Sequence, residues 1–561
     1  MKKLLAVLLA AMMILSCLSV ALADAGSEPD WSEYDKLIAD AKLETDLALR
    51  EDMLHHAEEL LMDTGAVLPL YYDNSAFLQR GTVSGVYNDP FGITYFQDAA
   101  VEGSDTLRVN LFSEPDTIDP AICVAMDAAI LADACFGGLY ARDAQGRPQP
   151  NYATGCEVSE DGLTYTFTMR KGLKWSDGTP LDARDFEYSW KRAADPLTGA
   201  AYSYMLNGIK GYPNDLAVTA SADGATLTVE LKAPCAYFLD LMGFVTTFAV
   251  PRAAVESAPN AKLSPGSWTH QAGFVCSGPF MVSEWKNDEY LVLIKNPNYW
   301  NAENVKVEKV LFMLSGDSSA AYMAYLAGNL DLISNIPRDE VVPLKQTPEF
   351  HIFDRLGTQF LCFNVKSYLF DGMTVEQAAA MRKAFALLID RDFIVETVAQ
   401  YGQKPANCFV PYTMADGRGG FFKTSDPDYA YPVVATLDDG EKAEGYFDLD
   451  VDVKGAIELL KQAGFKFNGD KLSDETPIAF EFLTMNAIGA TNVAECIQQD
   501  LAAVGIEMTI RAVDFKENIS ELISGHYDVA ACAWSSDFND PLGMLEMWTS
   551  NSGNNFCFLG R

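Results

Sequence analysis

Short β-type runs alternate with longer helical runs over most of the chain, and this alternation restricts the fold more than any other feature. Leu163-Thr-Tyr-Thr-Phe-Thr-Met169 places apolar and polar residues strictly in turn, the pattern of a half-buried strand. Residues 227–231 repeat it, and 106–112 read as another strand. Residues 182–194 and 375–388 have helical spacing, and 453–463 form a helix closed by Gly464. Further on, a strand at 478–483, a helix at 493–504 ended by Gly505, and a strand at 506–513 follow with short connections. Parallel strands need such helical crossovers, so the expectation is an α/β protein with parallel sheets. Residues 411–447, rich in Asp, Gly and Pro and without periodicity, read as a surface loop.

The 561 residues allow three or four domains. With 49% hydrophobic residues the chain does not have the composition of a disordered one. Its 41 Lys+Arg against 78 Asp+Glu give a net charge of −37, which opposes nucleic acid and anionic membrane surfaces. Small cationic or zwitterionic ligands are the partners least opposed. Lys2 and Lys3 precede an uncharged run, 4–23, that ends in Ala21-Leu22-Ala23 before Asp24, the layout of a secretory signal peptide cut after Ala23. Two alternatives are an uncleaved anchor and lipid attachment at Cys17, although Ile14-Leu15-Ser16 fits a lipoprotein signal poorly. No later stretch is apolar enough to span a bilayer, and the ten later cysteines contain no C-x-x-C pair and read as mostly buried free thiols.

Hydrolytic and nucleotide chemistry find little support. The five histidines, His55, His56, His270, His351 and His526, include no H-E-x-x-H. G-x-S-x-G, G-x-x-x-x-G-K-[ST] and G-x-G-x-x-G are all absent. His55, His56, Glu58 and Glu59 come nearest to a metal cluster. Around them Leu49, Met53, Leu54, Ala57, Leu60 and Leu61 have the spacing of one buried helix face, which assigns the His and Glu residues to the solvated side. The expectation is a binding protein rather than an enzyme, with no metal and no cofactor.

One block is specific. Asp161-Gly-Leu-Thr-Tyr-Thr-Phe-Thr-Met-Arg-Lys-Gly-Leu-Lys-Trp-Ser-Asp-Gly-Thr-Pro180, followed by Ala183-Arg-Asp-Phe-Glu-Tyr-Ser-Trp190, closely resembles the signature of the peptide-binding components of ABC importers. These are the dipeptide, oligopeptide and nickel class of extracytoplasmic solute-binding proteins. Ser277-Gly-Pro-Phe280, Asn296-Pro-Asn-Tyr-Trp300, Met381-Arg-Lys-Ala384 with Leu388-Ile-Asp-Arg391, Ala463-Gly464, and Tyr527-Asp-Val-Ala530 with Trp534 continue the match in family order. The resemblance implies a two-lobed periplasmic-binding-protein-like fold of type II, with three subdomains and a ligand cleft between the lobes. It implies a monomer, exported to the periplasm or the outer face of the cytoplasmic membrane, that holds a peptide and passes it to permease subunits. Alternatives within it are a nickel complex, an oligosaccharide or an opine as ligand, or a peptide sensor that feeds no transporter.

One departure concerns order. In the family, the segment reading Tyr34-Asp-Lys-Leu-Ile-Ala39 through Pro69-Leu-Tyr-Tyr72 closes the protein at its C-terminus; here it stands first. The expectation is a circular permutation, with the old ends joined through about 101–105 and Trp31 lying near Arg561 on the surface. Residues 1–23 are then signal peptide, 31–75 part of lobe 2, 76–149 the first part of lobe 1, 150–251 an extra subdomain on lobe 1, 252–357 the second part of lobe 1, and 358–561 the main part of lobe 2.

An α-ammonium enclosed between lobes needs a carboxylate partner, because a desolvated unpaired charge is costly. The resemblance supplies Asp537 for that role, with Trp534 as an apolar wall and Ser535 beside it. Tyr71, Tyr72 and Asp73 fall where the family chain passes between its lobes. Asp540, before Pro541, reads as a turn or capping acid. Ala531 stands where some relatives carry a basic residue that meets a ligand carboxylate. Gly357 and Ser535 stand where some carry a disulfide. Of the histidines, only His526 is a candidate for a place near the cleft.

Overall fold

Two long antiparallel strands run through both halves of the molecule and organise everything else. The structure, a computed structural model, describes residues 28–259, 261–426, 429–436 and 442–561. Residues 1–23, expected to be a signal peptide, and with them Cys17, lie outside the described residues. The chain opens with α1 (Ser32–Ala41) and α2 (Leu47–Asp63), then enters β1 (Val67–Gln79) and β2 (Thr106–Leu111). Next come β3 (Phe280–Lys286), β4 (Tyr290–Lys295), β5 (Lys309–Leu314), β6 (Leu332–Ile333) and β7 (Phe350–Phe363). The last strands of the main sheet are β8 (Ala479–Met485), β9 (Glu507–Val513) and β10 (Val529–Ser535). Their order is β3-β4-β5-β2-β6-β1-β7-β10-β8-β9, with Lys404–Pro405 also paired to β1.

The expectation of parallel sheets needs correction: the sheet is mixed. β2 is parallel to β5 and β6, and β8 is parallel to β9 and β10, wherever a helical crossover intervenes. β3 to β5 form antiparallel hairpins, and β1 runs antiparallel to β7 from Val67↔Cys362 to Leu78↔Phe350. Neither arrangement needs a crossover helix. The β1–β7 register shifts between Pro69 and Tyr71 and again between Tyr72 and Asn74. Such irregularities bend and twist a strand pair, and these fall where the pair passes from one half to the other.

Hydrophobic clusters follow the same division. Trp31, Tyr34, Leu54, Phe360 and Trp548 pack on one face of the β7–β10 half, and Leu68, Leu361, Phe385, Phe480 and Ile497 on the other. The β2–β5 half shares one core with a separate four-stranded sheet formed by Ala153–Val158, Thr164–Met169, Thr226–Glu230 and Val218–Ala220. In that sheet Tyr165, Phe167 and Met169 are buried, as the alternation requires. The helix Ala183–Ala194 starts at a capping box between Asp182 and Asp185 and sends the Trp190 indole N–H to the Thr247 carbonyl at 2.7 Å.

The Ser277-Gly-Pro-Phe280 motif has a steric reason. Backbone N–H groups of Ser277 and Gly278 both donate to the Cys135 carbonyl, at 3.0 and 2.7 Å. A Cβ at Gly278 would stand 2.5 Å from the Cys135 carbonyl carbon and 2.7 Å from the Phe136 nitrogen. Gly278→Ala is therefore expected to lower stability by about 1–3 kcal/mol through overpacking against backbone. An unchanged urea midpoint would contradict this.

Two further expectations change. The polar side of α2 is solvated only in part: His56 and Glu59 reach solvent as expected, but Arg50, Glu51, His55 and Glu58 are buried, whereas Leu49 is exposed. Arg50 is buried against Asp540, and Phe422, Tyr429 and Tyr431 cover His55 and Glu58. Rather than a plain surface loop, the 411–447 segment buries Met414, Phe422 and Tyr431, carries a small hairpin of Val433–Thr436 and Lys442–Glu444, and covers part of that side of the helix. Glu58 accepts the Phe409 and Val410 backbone N–H groups at 2.9 and 2.7 Å and the Tyr431 hydroxyl at 3.0 Å.

The first helices pack against the last residues of the chain. The Trp31 indole donates to the Trp548 carbonyl at 2.8 Å and the Tyr34 hydroxyl to the Leu545 carbonyl at 2.7 Å. A Cβ at Gly560 would lie 2.7 Å from that of Trp31. Arg561 is exposed as expected, but Trp31 is buried because its ring stacks on Tyr34 at 4.4 Å. The strand Ala100–Val101 leads within a few residues into β2.

Candidate functional site

Where the halves face each other, a cavity of about 230 Å³ is lined by residues from both, among them Asp133, Arg142, Tyr202, Arg355, Ser535 and Asp537. Ser535 ends β10, and Asp537 lies in the turn after it. That turn crosses to the smaller sheet's subdomain: the Asp537 carboxylate accepts the Tyr204 hydroxyl at 3.0 Å, Phe538 stacks on Tyr237 at 3.9 Å, and the Asn539 backbone N–H donates to Asp240 at 3.1 Å. Burial raises the Asp537 carboxyl above the usual carboxylate range, partly offset by the Tyr204 hydrogen bond.

The cations differ in how they are used. Arg142 is committed, with its guanidinium on Asp240 at 2.9 and 3.1 Å and over the Phe91 ring at 3.9 Å. Arg355 makes no hydrogen bond or ion pair among the described residues. Burial depresses it, and the nearby Asp73 and Asp89 counteract that. Asp133 is driven well above the carboxylate range by burial and then by Asp89. The wall thus carries two carboxylates, Asp133 and Asp537, and, beside the committed Arg142, one cation without a hydrogen bond or ion pair, Arg355.

Ser535 and Asp537 line this cavity together. Asp73 stands behind its wall, held by the Gln359 side-chain amide at 3.1 Å. A Cβ at Gly357 would meet Ser535 Oγ at 2.6 Å and an Asp73 carboxylate oxygen at 2.7 Å, so these two side chains occupy the space a residue 357 side chain would need. Gly357 and Ser535 are direct register partners. Trp534 instead lines an adjoining cavity of about 340 Å³, which Asp537 also borders, and its indole donates to the Gly543 carbonyl at 2.8 Å. Tyr71 packs on the core of the lobe containing β10, and Tyr72 is buried with its hydroxyl on the Cys408 carbonyl at 3.3 Å; neither lines these cavities. His526 lies exposed beside Glu521, away from them. Asp540 caps the backbone N–H of Leu542 at 3.0 Å and also holds Arg50. The sequence reading missed Tyr202, Tyr204 and Arg355. Tyr202 and Tyr204 sit in a short 3-10 turn, and Arg355 in a strand, with no local signal that either faces a cleft.

Two lobes joined by a crossing strand pair, with a charged cleft between them, are the architecture of a type II periplasmic binding protein. Residues 147–556 match the family model described as bacterial extracellular solute-binding proteins, family 5 Middle. The oligopeptide-binding protein OppA of Bacillus subtilis is 31% identical over 470 residues, covering 81% of this chain and 79% of its own length. The periplasmic oligopeptide-binding protein OppA of Escherichia coli is 28% identical, covering 86% of this chain and 82% of its own. Among solved structures, the unliganded open form of the murein tripeptide-binding protein MppA superposes with a TM-score of 0.66 at 26% identity, covering 82% of this chain and 84% of that one. Haemophilus influenzae OppA in complex with the peptide RPPGFSPFR gives 0.54 at 25% identity, covering 81% of this chain and 85% of that one. The chain belongs to the family 5 bacterial extracellular solute-binding proteins. Its relatives are substrate-binding proteins rather than enzymes. No helix among the described residues is long and apolar enough to cross a membrane.

Proposed function

We propose that this protein captures peptides in the cleft between its lobes and, as an exported monomer, delivers them to the permease subunits of an ABC importer without turning them over. The observation that carries this reading is the pairing of Asp537 and Arg355 on one cavity: a carboxylate for the α-ammonium and an uncommitted guanidinium for a carboxylate of the same zwitterion. Arg355 also answers the loss of a basic residue at Ala531. The names of the relatives and a peptide-bound neighbour support the same ligand class. Closure about the β1–β7 crossing gives the ligand contacts on both lobes and so stabilises the closed population.

The export signal ends at Ala23 in this reading. The lobes divide as 31–75 with 358–561, and 76–149 with 252–357, the subdomain 150–251 being attached to the latter. The segment order is that of a circular permutation. Trp31 against Gly560, and the run from Ala100–Val101 into β2, support it.

Native mass spectrometry of the purified exported chain tests the function. The expected result is a set of released peptides on denaturation. A compact protein that carries none, and binds none from a peptide mixture on titration, would overturn the reading.

A further inference from the structure

Away from the cleft, α2 and the 411–447 segment enclose a polar cluster that the function above does not use. His55 is wholly buried, sandwiched between the rings of Phe422 and Tyr429 with centroids at 3.9 Å on each side and interplanar angles of 12° and 8°. Stacking fixes the plane of the imidazole, yet neither ring nitrogen has a hydrogen-bond partner. One turn earlier, buried Glu51 has the Arg418 guanidinium as its ion-pair partner, which leaves the His55 imidazole beside it without a hydrogen bond. Buried polar groups in this condition are rare and call for an explanation. Asp426 approaches from the covering segment: His55 Nε2 stands 3.7 Å from its Oδ2 and 3.9 Å from Glu51 Oε1. One ligand atom from each of the three lies within 4.8 Å of the others.

We propose that Glu51, His55 and Asp426 form a binding site for one divalent transition-metal ion of the Zn²⁺ type, which clasps the 411–447 segment to α2. An imidazole with two carboxylates is a nitrogen–oxygen donor set that suits zinc and its neighbours, whereas calcium and magnesium take oxygen ligands. Zinc bonds of about 2.0–2.2 Å place tetrahedral ligand atoms roughly 3.4 Å apart, so the two distances to the imidazole shorten by a few tenths of an ångström, and the carboxylate oxygens, within 4.8 Å of each other, draw together by at most about 1.4 Å.

The guanidinium of Arg418 currently supplies positive charge. It pairs with Glu51 Oε2 and lies 3.6 Å from Asp426 Oδ1. Its side chain is 30% exposed, so it is free to swing into solvent as the metal enters. It is a competitor for the site and not a ligand. The exposed His56, with Glu33 and Glu59 each at 3.3 Å, is a separate surface group and serves as the control.

The test uses the full exported chain, stripped with chelator, dialysed, and titrated calorimetrically with zinc sulfate, with metal content then measured by plasma mass spectrometry. One equivalent of zinc and a raised melting temperature are expected. His55→Gln and Glu51→Gln should each weaken binding by at least the 10- to 100-fold that loss of a supporting residue alone produces. Should His55→Gln fail to fold by circular dichroism, Asp426→Asn, changed on the covering segment, gives the same reading. Arg418→Ala should bind zinc at least as tightly as the parent, and His56→Gln should bind it unchanged. Three results would overturn the proposal: a parent that takes up no zinc, full binding by His55→Gln, or loss of binding in Arg418→Ala or His56→Gln.

Discussion

Replacing Asp537 by alanine is expected to weaken peptide binding by about 2–5 kcal/mol, a factor of roughly 30 to several thousand, the usual cost of removing one partner of a buried charge pair. The size follows from the position of the carboxylate in the turn between lobes, where, on the proposed function, a bound ammonium would give up water and have Asp537 as its counter-charge. Tyr204 holds the carboxylate in place at 3.0 Å without neutralising it. The pH dependence has a definite sign. Burial raises the Asp537 carboxyl, so the free protein protonates it at a higher pH than an exposed aspartate. Peptide affinity therefore falls as pH drops through that raised value, and the gap between parent and Asp537→Ala narrows with it. Titration calorimetry at neutral and mildly acidic pH reads both effects. Equal affinities for parent and variant at neutral pH would remove Asp537 from the site.

Arg50→Ala should lower stability by several kcal/mol. Arg50 on α2 makes two parallel hydrogen bonds to Asp540, both at 2.8 Å, with side-chain exposures of 4% and 2%, and a third to the Ala41 carbonyl at 3.0 Å. It fastens α1 and α2 to the end of the chain. Truncation leaves the Asp540 carboxylate buried without its cation, at a cost of about 3–5 kcal/mol. A lower urea midpoint and proteolytic release of the 31–63 segment are the expected signs. Replacing both partners by apolar residues of similar volume should recover most of the loss, since no orphaned charge remains. A single variant as stable as the parent would refute the account.

Strands and helices were legible wherever one face of an element met water. Residues 163–169 alternate, and the strand is found at Thr164–Met169; 375–388 have helical spacing, and the helix is Val375–Leu388. The helix expected at 493–504 begins five residues earlier, at Ile488, because Ile488 is exposed and adds nothing to an apolar face. α2 was misread for a different reason. Periodicity tells which residues are apolar, but not that a segment more than 350 positions later will cover the polar side, as the contact of Glu58 with Phe409 does. The same limit applies to the site. Asp537 was reachable through a resemblance, whereas Tyr204 reaches it from 333 positions away and Arg355 has an ordinary strand around it.

The hydrogen bond from Trp31 to Trp548 spans 517 positions, and that from Tyr34 to Leu545 spans 511. Closing a 500-residue loop rather than a 50-residue one costs only about 2 kcal/mol in chain entropy, so the native state tolerates it. The burden is kinetic. As the chain is synthesised, α1, α2 and β1 emerge early, but β1 gains β7 only after residue 350, and the helices gain their docking surface only after residue 540. Their apolar faces stay open to other chains throughout, which invites aggregation and calls for a holding chaperone. Moving the 31–100 segment behind position 561 would preserve nearly every contact while turning the longest of them into local ones, and such a variant should refold faster with the same final stability.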